Sequence, residues 1–155
     1  MDLAPKHARP IPEPPIQAAS GDFAGWWSWP NDHYEAHSGP FWHRVEADGN
    51  VRCAFRIEQK HINGSGSVHG GCLMTFADYC LFALCGPTLG YGHGVTLSFA
   101  CEFIDAARLG ELVEGTGEVI RTGRSVVFVR GLLSSGSRPL LNFSGTIKRT
   151  GQPRS

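Results

Sequence analysis

Residues 71–85 constrain the fold more than any other segment, because they are apolar on nearly every side and contain no proline. Such a segment predicts a helix that is buried on most of its faces, and Gly86-Pro87 predicts where that helix ends. Asp78 is the only Asp, Glu, Lys or Arg among residues 61–101. A carboxylate isolated among apolar side chains is either desolvated at a cost or faces a cleft in which its chemistry is used.

Short strand candidates lie on both sides of this helix. Residues 41–47 and 51–58 flank an Asp-Gly-Asn turn and predict a β-hairpin. Residues 95–103 alternate with a period of two, and three further candidates follow at 111–120, 125–133 and 140–148. The sequence therefore predicts an α+β fold in which a sheet of about six strands curls around one long buried helix.

The chain of 155 residues is long enough for one domain with a real core. Five prolines predict that residues 1–20 form a flexible arm, before a single domain at 21–150 and a tail at 151–155. The aromatic residues 23–29 predict a short helix or turn that packs on the domain. Lys plus Arg equals Asp plus Glu at 14 each, which argues against nucleic acid or an acidic membrane as a partner.

The cysteines and histidines do not predict a metal site. The five cysteines form no Cys-x-x-Cys pair and lie mostly in apolar runs, which favours reduced core thiols over disulfides or zinc ligands. His33, His37 and His43 lack the H-E-x-x-H spacing, which favours surface or aromatic-packing roles. The N-terminal residues contain no signal-like apolar stretch, and no later run reaches membrane-spanning length without a polar break. We therefore expect a cytoplasmic protein.

A polar loop before the helix contains Asn63, His69, Gly70 and Gly71. Amides at a helix N-terminus, reinforced by the helix dipole, are suited to stabilise a developing oxyanion, so both glycines are candidate donors. The alternative is that they only form a tight turn into the helix. For Asp78, the alternative is a structural carboxylate that is hydrogen-bonded to backbone or water.

Asp78 lies seven or eight residues into the predicted helix, roughly 11 Å along the axis from the glycine amides. One carbonyl group cannot contact both the amides and the carboxylate of the same chain. If both act on one carbonyl, the carboxylate must come from a second subunit, across a twofold axis.

The most specific pattern in the sequence is a spacing of loop and helix residues, namely His61, Asn63, Gly66, His69, Gly70, Gly71 and Asp78. This pattern resembles the hotdog-fold thioesterases of the phenylacetic-acid-degradation type, and residues 94–111, 122–133 and 140–149 resemble later strands of that family. The resemblance covers about residues 40–149. It implies a hotdog fold, a homodimer that pairs into a dimer of dimers, and hydrolysis of an acyl- or aryl-acyl-coenzyme A without a cofactor.

The resemblance also implies a role for each matching residue. Asp78 corresponds to a catalytic carboxylate that is supplied by the partner subunit and acts as general base on water or as nucleophile. Gly70 corresponds to the residue whose amide polarises the thioester carbonyl, and Asn63 to a side chain that holds water or that carbonyl. His69 orders the loop, and Thr96 corresponds to a hydroxyl that supports the attacking water.

Basic residues dominate the C-terminal part of the chain, where residues 121–149 contain six Lys or Arg and no Asp or Glu. Arg121 and Arg124 flank a turn glycine and are candidates to bind the phosphates of coenzyme A. The alternative is a solvated sheet edge that carries protective charges.

Two other functions remain open at this point. A hotdog hydratase or dehydratase would use a His and an acidic residue to move protons on the acyl chain of a thioester. A non-catalytic acyl-coenzyme A binder would bind the ligand without turnover. Release of a free thiol distinguishes hydrolysis from both.

Overall fold

The computed structural model describes residues 14–89 and 94–150, so most of the predicted arm and the whole predicted tail lie outside the described residues. The helices are α1 (His33–Ser38) and α2 (Gly70–Leu89), and a 3-10 turn at Gln59–His61 precedes α2. The strands are β1 (Ile16–Gln17), β2 (Trp27–Ser28), β3 (Trp42–Val45), β4 (Val51–Arg56), β5 (Gly94–Phe103), β6 (Leu112–Thr122), β7 (Val126–Ser135) and β8 (Arg138–Arg149).

The eight strands form one antiparallel sheet in the order β1-β2-β3-β4-β6-β7-β8-β5. The prediction of an α+β fold with a sheet around one long helix is confirmed. The six predicted strands correspond to β3–β8, and the two-residue strands β1 and β2 extend one edge. At the other edge, β5 pairs with β8 alone among the described residues.

Helix α2 packs against the inner face of the sheet through β4, β5, β6, β7 and β8. Two glycines of that face permit the close approach. A Cβ added at Gly115 would lie 2.5 Å from Sγ of Cys80, and one added at Gly145 would lie 2.5 Å from Cδ1 of Leu81. Because no real side chain tolerates such distances, these glycines let the helix lie directly on the strands.

The predicted end of α2 at Gly86-Pro87 is wrong, because the helix continues through Pro87 to Leu89. Proline removes one backbone hydrogen bond and its ring crowds the preceding turn. Near the end of a helix this loss affects little of the helical hydrogen bonding, and the buried residues Leu84, Cys85 and Gly86 hold the last turns in the core.

By length and composition α2 is also able to cross a membrane, with 20 residues and a mean hydropathy of 1.4. Asp78 interrupts this run with one charged side chain, which agrees with the expectation that no run of this length lacks a polar break. In the structure 56% of the 18-residue window with this hydropathy is buried inside the protein, because α2 is the core helix of the domain.

Three local features differ from or refine the predictions. The aromatic segment forms a turn followed by β2 rather than a helix. The turn between β7 and β8 is shorter than residues 134–139, because Gly136 at φ +58° closes a tight connection. Helix α1 was not predicted, and the side chain of Asp32 caps it by accepting from the Glu35 amide at 3.0 Å.

Candidate active site

Asp78 faces the first strand after the helix rather than a purely apolar environment. Its Oδ1 accepts a hydrogen bond of 2.7 Å from the Thr96 hydroxyl on β5. Partial burial raises the pKa of the Asp78 carboxyl, Thr96 opposes that shift, and the nearby carboxylate of Asp32 adds to it. Asp78 is therefore a half-buried carboxylate that is oriented by one donor and is more basic than an exposed one.

The loop before α2 is held by two histidines. Nδ1 of the buried His61 accepts from the Glu58 amide at 2.9 Å, so Nε2 carries the hydrogen and donates to the Ser38 carbonyl at 2.7 Å. The His61 carbonyl accepts from the His69 amide at 2.7 Å. The loop is thereby tied to the end of α1, and the start of α2 is fixed. The predicted loop-ordering role of His69 fits these bonds.

The two candidate oxyanion donors differ in the structure. The Gly71 amide donates to Nδ1 of His69 at 2.9 Å, so it is already occupied. The Gly70 amide has no hydrogen-bond partner within residues 14–89 and 94–150. The ring of Phe103 lies over Gly70, where an added Cβ would lie 3.1 Å from Cε1 of the ring. Gly70 thus presents a free amide at the helix N-terminus, whereas Gly71 as donor requires the His69 ring to move.

Asn63 uses its carbonyl oxygen inside the loop. Its Oδ1 accepts from the amides of Ser65 at 2.8 Å and Ser67 at 3.2 Å. The family resemblance implies that Asn63 holds water or the thioester carbonyl. Because Oδ1 is engaged, only the Nδ2 hydrogens are available for that contact.

Two neighbouring clefts share Tyr34 and Thr75 in their walls, and neither is lined by Gly70, Asn63 or Thr96. One, of about 370 Å³, contains Asp78, and the other, of about 320 Å³, contains His69 and Gly71. A larger concavity of about 720 Å³ lies among β4, β6, β7 and β8 and contains none of the predicted site residues. We take the smaller clefts as the site, because they hold the carboxylate and the loop.

Arg121 and Arg124 are not brought to Asp78 within one chain. Both are exposed, one at the end of β6 and the other in the turn to β7. Strands β7 and β8 separate β6 from β5, on which Thr96 lies. Their role in binding phosphates remains a prediction.

The sequence reasoning missed Glu35, which lines the same cleft as Asp78. Burial, followed by the negative charges of Asp32 and Asp78, raises the pKa of Glu35 to about 8. The signal in the sequence was the Asp32-x-x-Glu35 spacing, which is typical of a helix N-terminus.

Within the described ranges, no group of three or more His, Cys, Asp or Glu side chains is arranged to hold a metal ion. All five cysteines are free. His43 is buried, stacks on Trp29 with ring centroids 4.5 Å apart, and hydrogen-bonds through Nδ1 to the Tyr79 hydroxyl at 2.7 Å. Burial lowers the pKa of His43 to about 4, so it is a neutral core histidine at neutral pH.

A long helix covered by one antiparallel sheet, with a glycine loop at its start and a carboxylate within it, defines a hotdog-fold thioesterase. The chain belongs to the thioesterase superfamily, whose family model matches residues 65–141. The predicted family and the predicted enzyme class, a thioester hydrolase, are confirmed at this level.

Individual proteins that are similar to this chain are named as esterases or thioesterases. PA0474 of Pseudomonas aeruginosa, named as a proposed esterase, is 34% identical over 108 residues, which cover 69% of this chain and 81% of that protein. Human acyl-coenzyme A thioesterase 13 is 31% identical over 82 residues, which cover 53% of this chain but only 59% of the human protein.

Solved structures are similar in fold. The PaaI protein of Escherichia coli, from the phenylacetic acid degradation operon, matches with a TM-score of 0.68 and 20% identity, over 78% of this chain and 86% of that one. A hypothetical thioesterase of Streptococcus pneumoniae, solved with coenzyme A, matches with a TM-score of 0.64 and 23% identity, over 74% and 91%. At these identities the likeness establishes the fold alone.

Proposed function

We propose that the protein hydrolyses acyl-coenzyme A thioesters at a site shared by two subunits. The observation that carries this proposal is the half-buried Asp78 carboxylate, oriented by Thr96 in a cleft next to the loop that presents the free Gly70 amide. Two further findings support the substrate class. A relative is named acyl-coenzyme A thioesterase, and fold neighbours were solved with coenzyme A and with acetyl-coenzyme A.

In the proposed reaction, the Asp78 carboxylate takes a proton from a water molecule, and the water oxygen bonds to the thioester carbon. The Gly70 amide donates to the carbonyl oxygen as it becomes negative. The carbon–sulfur bond then breaks, coenzyme A leaves as the thiolate, and the proton is returned to it or to solvent. If Asp78 were instead the nucleophile, an acyl group would be found on Asp78 after rapid acid quenching, by mass spectrometry.

The continuity of α2 between its two functional groups supports a site shared by two subunits. Gly70 and Asp78 belong to one unbroken helix, so the axial separation of more than 10 Å inferred from their spacing applies within one chain. Among the residues that the structure describes, strand β5 has one unpaired edge, and it exposes Val95, Leu97 and Phe103. Antiparallel pairing of two β5 strands about a twofold axis near Phe99 would bring Gly70 of one chain towards Asp78 of the other.

Further parts of the proposal rest on the sequence. Arg121 and Arg124 bind the phosphates of coenzyme A, Gly71 joins Gly70 if the His69 ring moves, and the dimers pair into a dimer of dimers. The reaction uses the residues above and water, and we propose no cofactor. A cytoplasmic location remains a prediction.

The test is a thiol-release assay over short, medium, long and aromatic acyl-coenzyme A substrates, comparing wild type with Asp78→Asn. We expect wild type to release thiol and Asp78→Asn to lose about 10²–10⁴-fold in kcat, because removing a general base costs that much. Asp48→Asn is the matched control. Asp48 lies in the β3–β4 turn, and asparagine can still accept there from the Asn50 amide.

The melting temperature of Asp78→Asn should be no lower than that of wild type. The substitution removes a partly desolvated charge, and the side-chain oxygen of the asparagine can still accept from the Thr96 hydroxyl. Activity retained by Asp78→Asn on every substrate would exclude Asp78 from the mechanism. A wild type that binds acyl-coenzyme A but releases no thiol would contradict hydrolysis and indicate a binding protein.

A further inference from the structure

Glu35 and Asp78 line one cleft of about 370 Å³, although they belong to different elements. Helix α1 packs directly on α2, and its Glu35 side chain is half-buried. The Glu35 carboxyl has no hydrogen-bond or ion-pair partner within the described part of the chain. A half-buried carboxyl group without an internal partner is suited to contact whatever occupies the cleft.

The surroundings of Glu35 are negative or neutral. From its own segment Asp32 and Tyr34 line the cleft, and from α2 Asp78 does, while the charge of Glu35 also raises the pKa of the buried thiol of Cys80. Strand β5 contributes Phe99, which has no charge, and no Lys or Arg among residues 14–89 and 94–150 lines this cleft. Burial, followed by the charges of Asp32 and Asp78, raises the pKa of Glu35 to about 8, so at neutral pH Glu35 is mainly protonated.

We propose that Glu35 is a further residue of the hydrolytic site, where its neutral carboxyl group donates a hydrogen bond to the attacking water and so positions it for Asp78. This inference rests on the proposed function. A carboxylic acid can donate to the water oxygen while the water hydrogen points to the Asp78 carboxylate. Two adjacent carboxyl groups divide these roles only if one of them keeps its proton.

Ionisation of Glu35 would reverse this arrangement. A carboxylate only accepts hydrogen bonds, so it would compete with Asp78 for the water hydrogen and add a second negative charge near the developing oxyanion. We therefore expect kcat/KM to fall as pH rises through about 8. Above that pH the fall should be about tenfold per unit if the ionised form is inactive.

The experiment is the pH profile of kcat/KM, corrected for spontaneous thioester hydrolysis, for wild type and three variants. Glu35→Gln keeps a donor that cannot ionise, so it should remain active at neutral pH and lose the decline above pH 8. Asp32→Asn keeps an equivalent helix cap but removes a charge that raises the pKa of Glu35, so its decline should begin at lower pH. Asp48→Asn changes a carboxyl group in the β3–β4 turn, outside both clefts, and should keep the wild-type profile.

The same decline in Glu35→Gln as in wild type would overturn the proposal, and so would an Asp32→Asn profile that is not displaced. A wild type without thiol release would contradict the proposed function itself.

Even then, the protonation of Glu35 can be measured through the pH dependence of stability. A carboxyl group whose pKa is raised on folding stabilises the protein below its unfolded pKa, and this contribution is lost as pH rises to about 8. If the free energy of unfolding changed identically with pH for wild type and Glu35→Gln between about pH 5 and 8, the claim that Glu35 is protonated at neutral pH would be overturned.

Discussion

The start and the middle of α2 contribute to the candidate site in different ways. At the start, the free donor is the backbone amide of Gly70, and histidines His61 and His69 hold the loop around it. In the middle, the functional group is one side chain, Asp78, whose basicity depends on burial and on Thr96. A backbone amide can donate whatever side chain the residue carries, and it loses this ability only when the N–H is removed. The basicity of the carboxylate, by contrast, changes when Asp78 itself or any of its neighbours is replaced.

The sharpest test of the backbone half is Gly70→Pro compared with Gly70→Ala. Gly70 is the first residue of α2, where proline fits a helix but lacks the N–H group. We expect Gly70→Pro to lower kcat about 10²–10³-fold, the usual cost of losing one oxyanion donor. The measurement is thiol release, together with the melting temperature.

Gly70→Ala is the matched control, because it adds the same Cβ against the exposed ring of Phe103 and keeps the amide. It should retain most of the activity. An equal loss in both variants would mean that the crowding, rather than the missing donor, is responsible.

A second test asks whether the two halves come from different chains. Asp78→Asn and Gly70→Pro chains are co-expressed with different tags and purified through both tags. In a shared site, one of the two sites in each mixed dimer has both halves intact. We expect about a quarter to a half of wild-type activity, depending on whether dimers pair further. Mixed protein that is as inactive as each variant alone would indicate a site built within one chain.

The smallest effect is expected from Thr96→Val. This variant tests whether the Thr96 hydroxyl sets the basicity of Asp78. The Thr96 hydroxyl lowers the pKa of Asp78, so its removal should raise that pKa further. Asp78 must be ionised to accept a proton, so the acid side of the kcat/KM profile should move to higher pH. Loss of one hydrogen bond to a charged group should lower kcat/KM about tenfold near neutral pH. Thr96→Ser keeps the hydroxyl and should restore the profile, and an unmoved profile in Thr96→Val would contradict this role.

Much of the fold could be predicted, because residues 71–85 form one long apolar run without proline and the main strands are short segments separated by turn residues. Asp78 could be selected as a candidate from the sequence alone, because it is the only carboxylate in a long apolar run. The bond between Thr96 and Asp78 could not be derived from spacing, because it depends on the register of β5 against the helix, and the family resemblance implied only that the Thr96 hydroxyl supports the attacking water. The end of α2 was misplaced, because tertiary packing outweighed the local signal of Pro87.

Other parts of the site depend on choices between hydrogen-bond partners that a sequence does not specify. Gly70 and Gly71 were equivalent as donors in the sequence, but the His69 ring accepts from only one of them. Glu35 was missed because α1 is only six residues long and has no buried residues, so it has no apolar pattern. Its position in the Asp78 cleft results from the packing of α1 on α2.

The glycines on the inner face of the sheet have a consequence for the chemistry of Asp78. Gly115 and Gly145 lie against Cys80 and Leu81, which follow Asp78 by two and three residues on the same helix. They let α2 lie directly on the sheet, and partial burial is the largest cause of the raised pKa of Asp78. The absence of two methyl groups on β6 and β8 therefore contributes to the proton affinity of a carboxylate on α2.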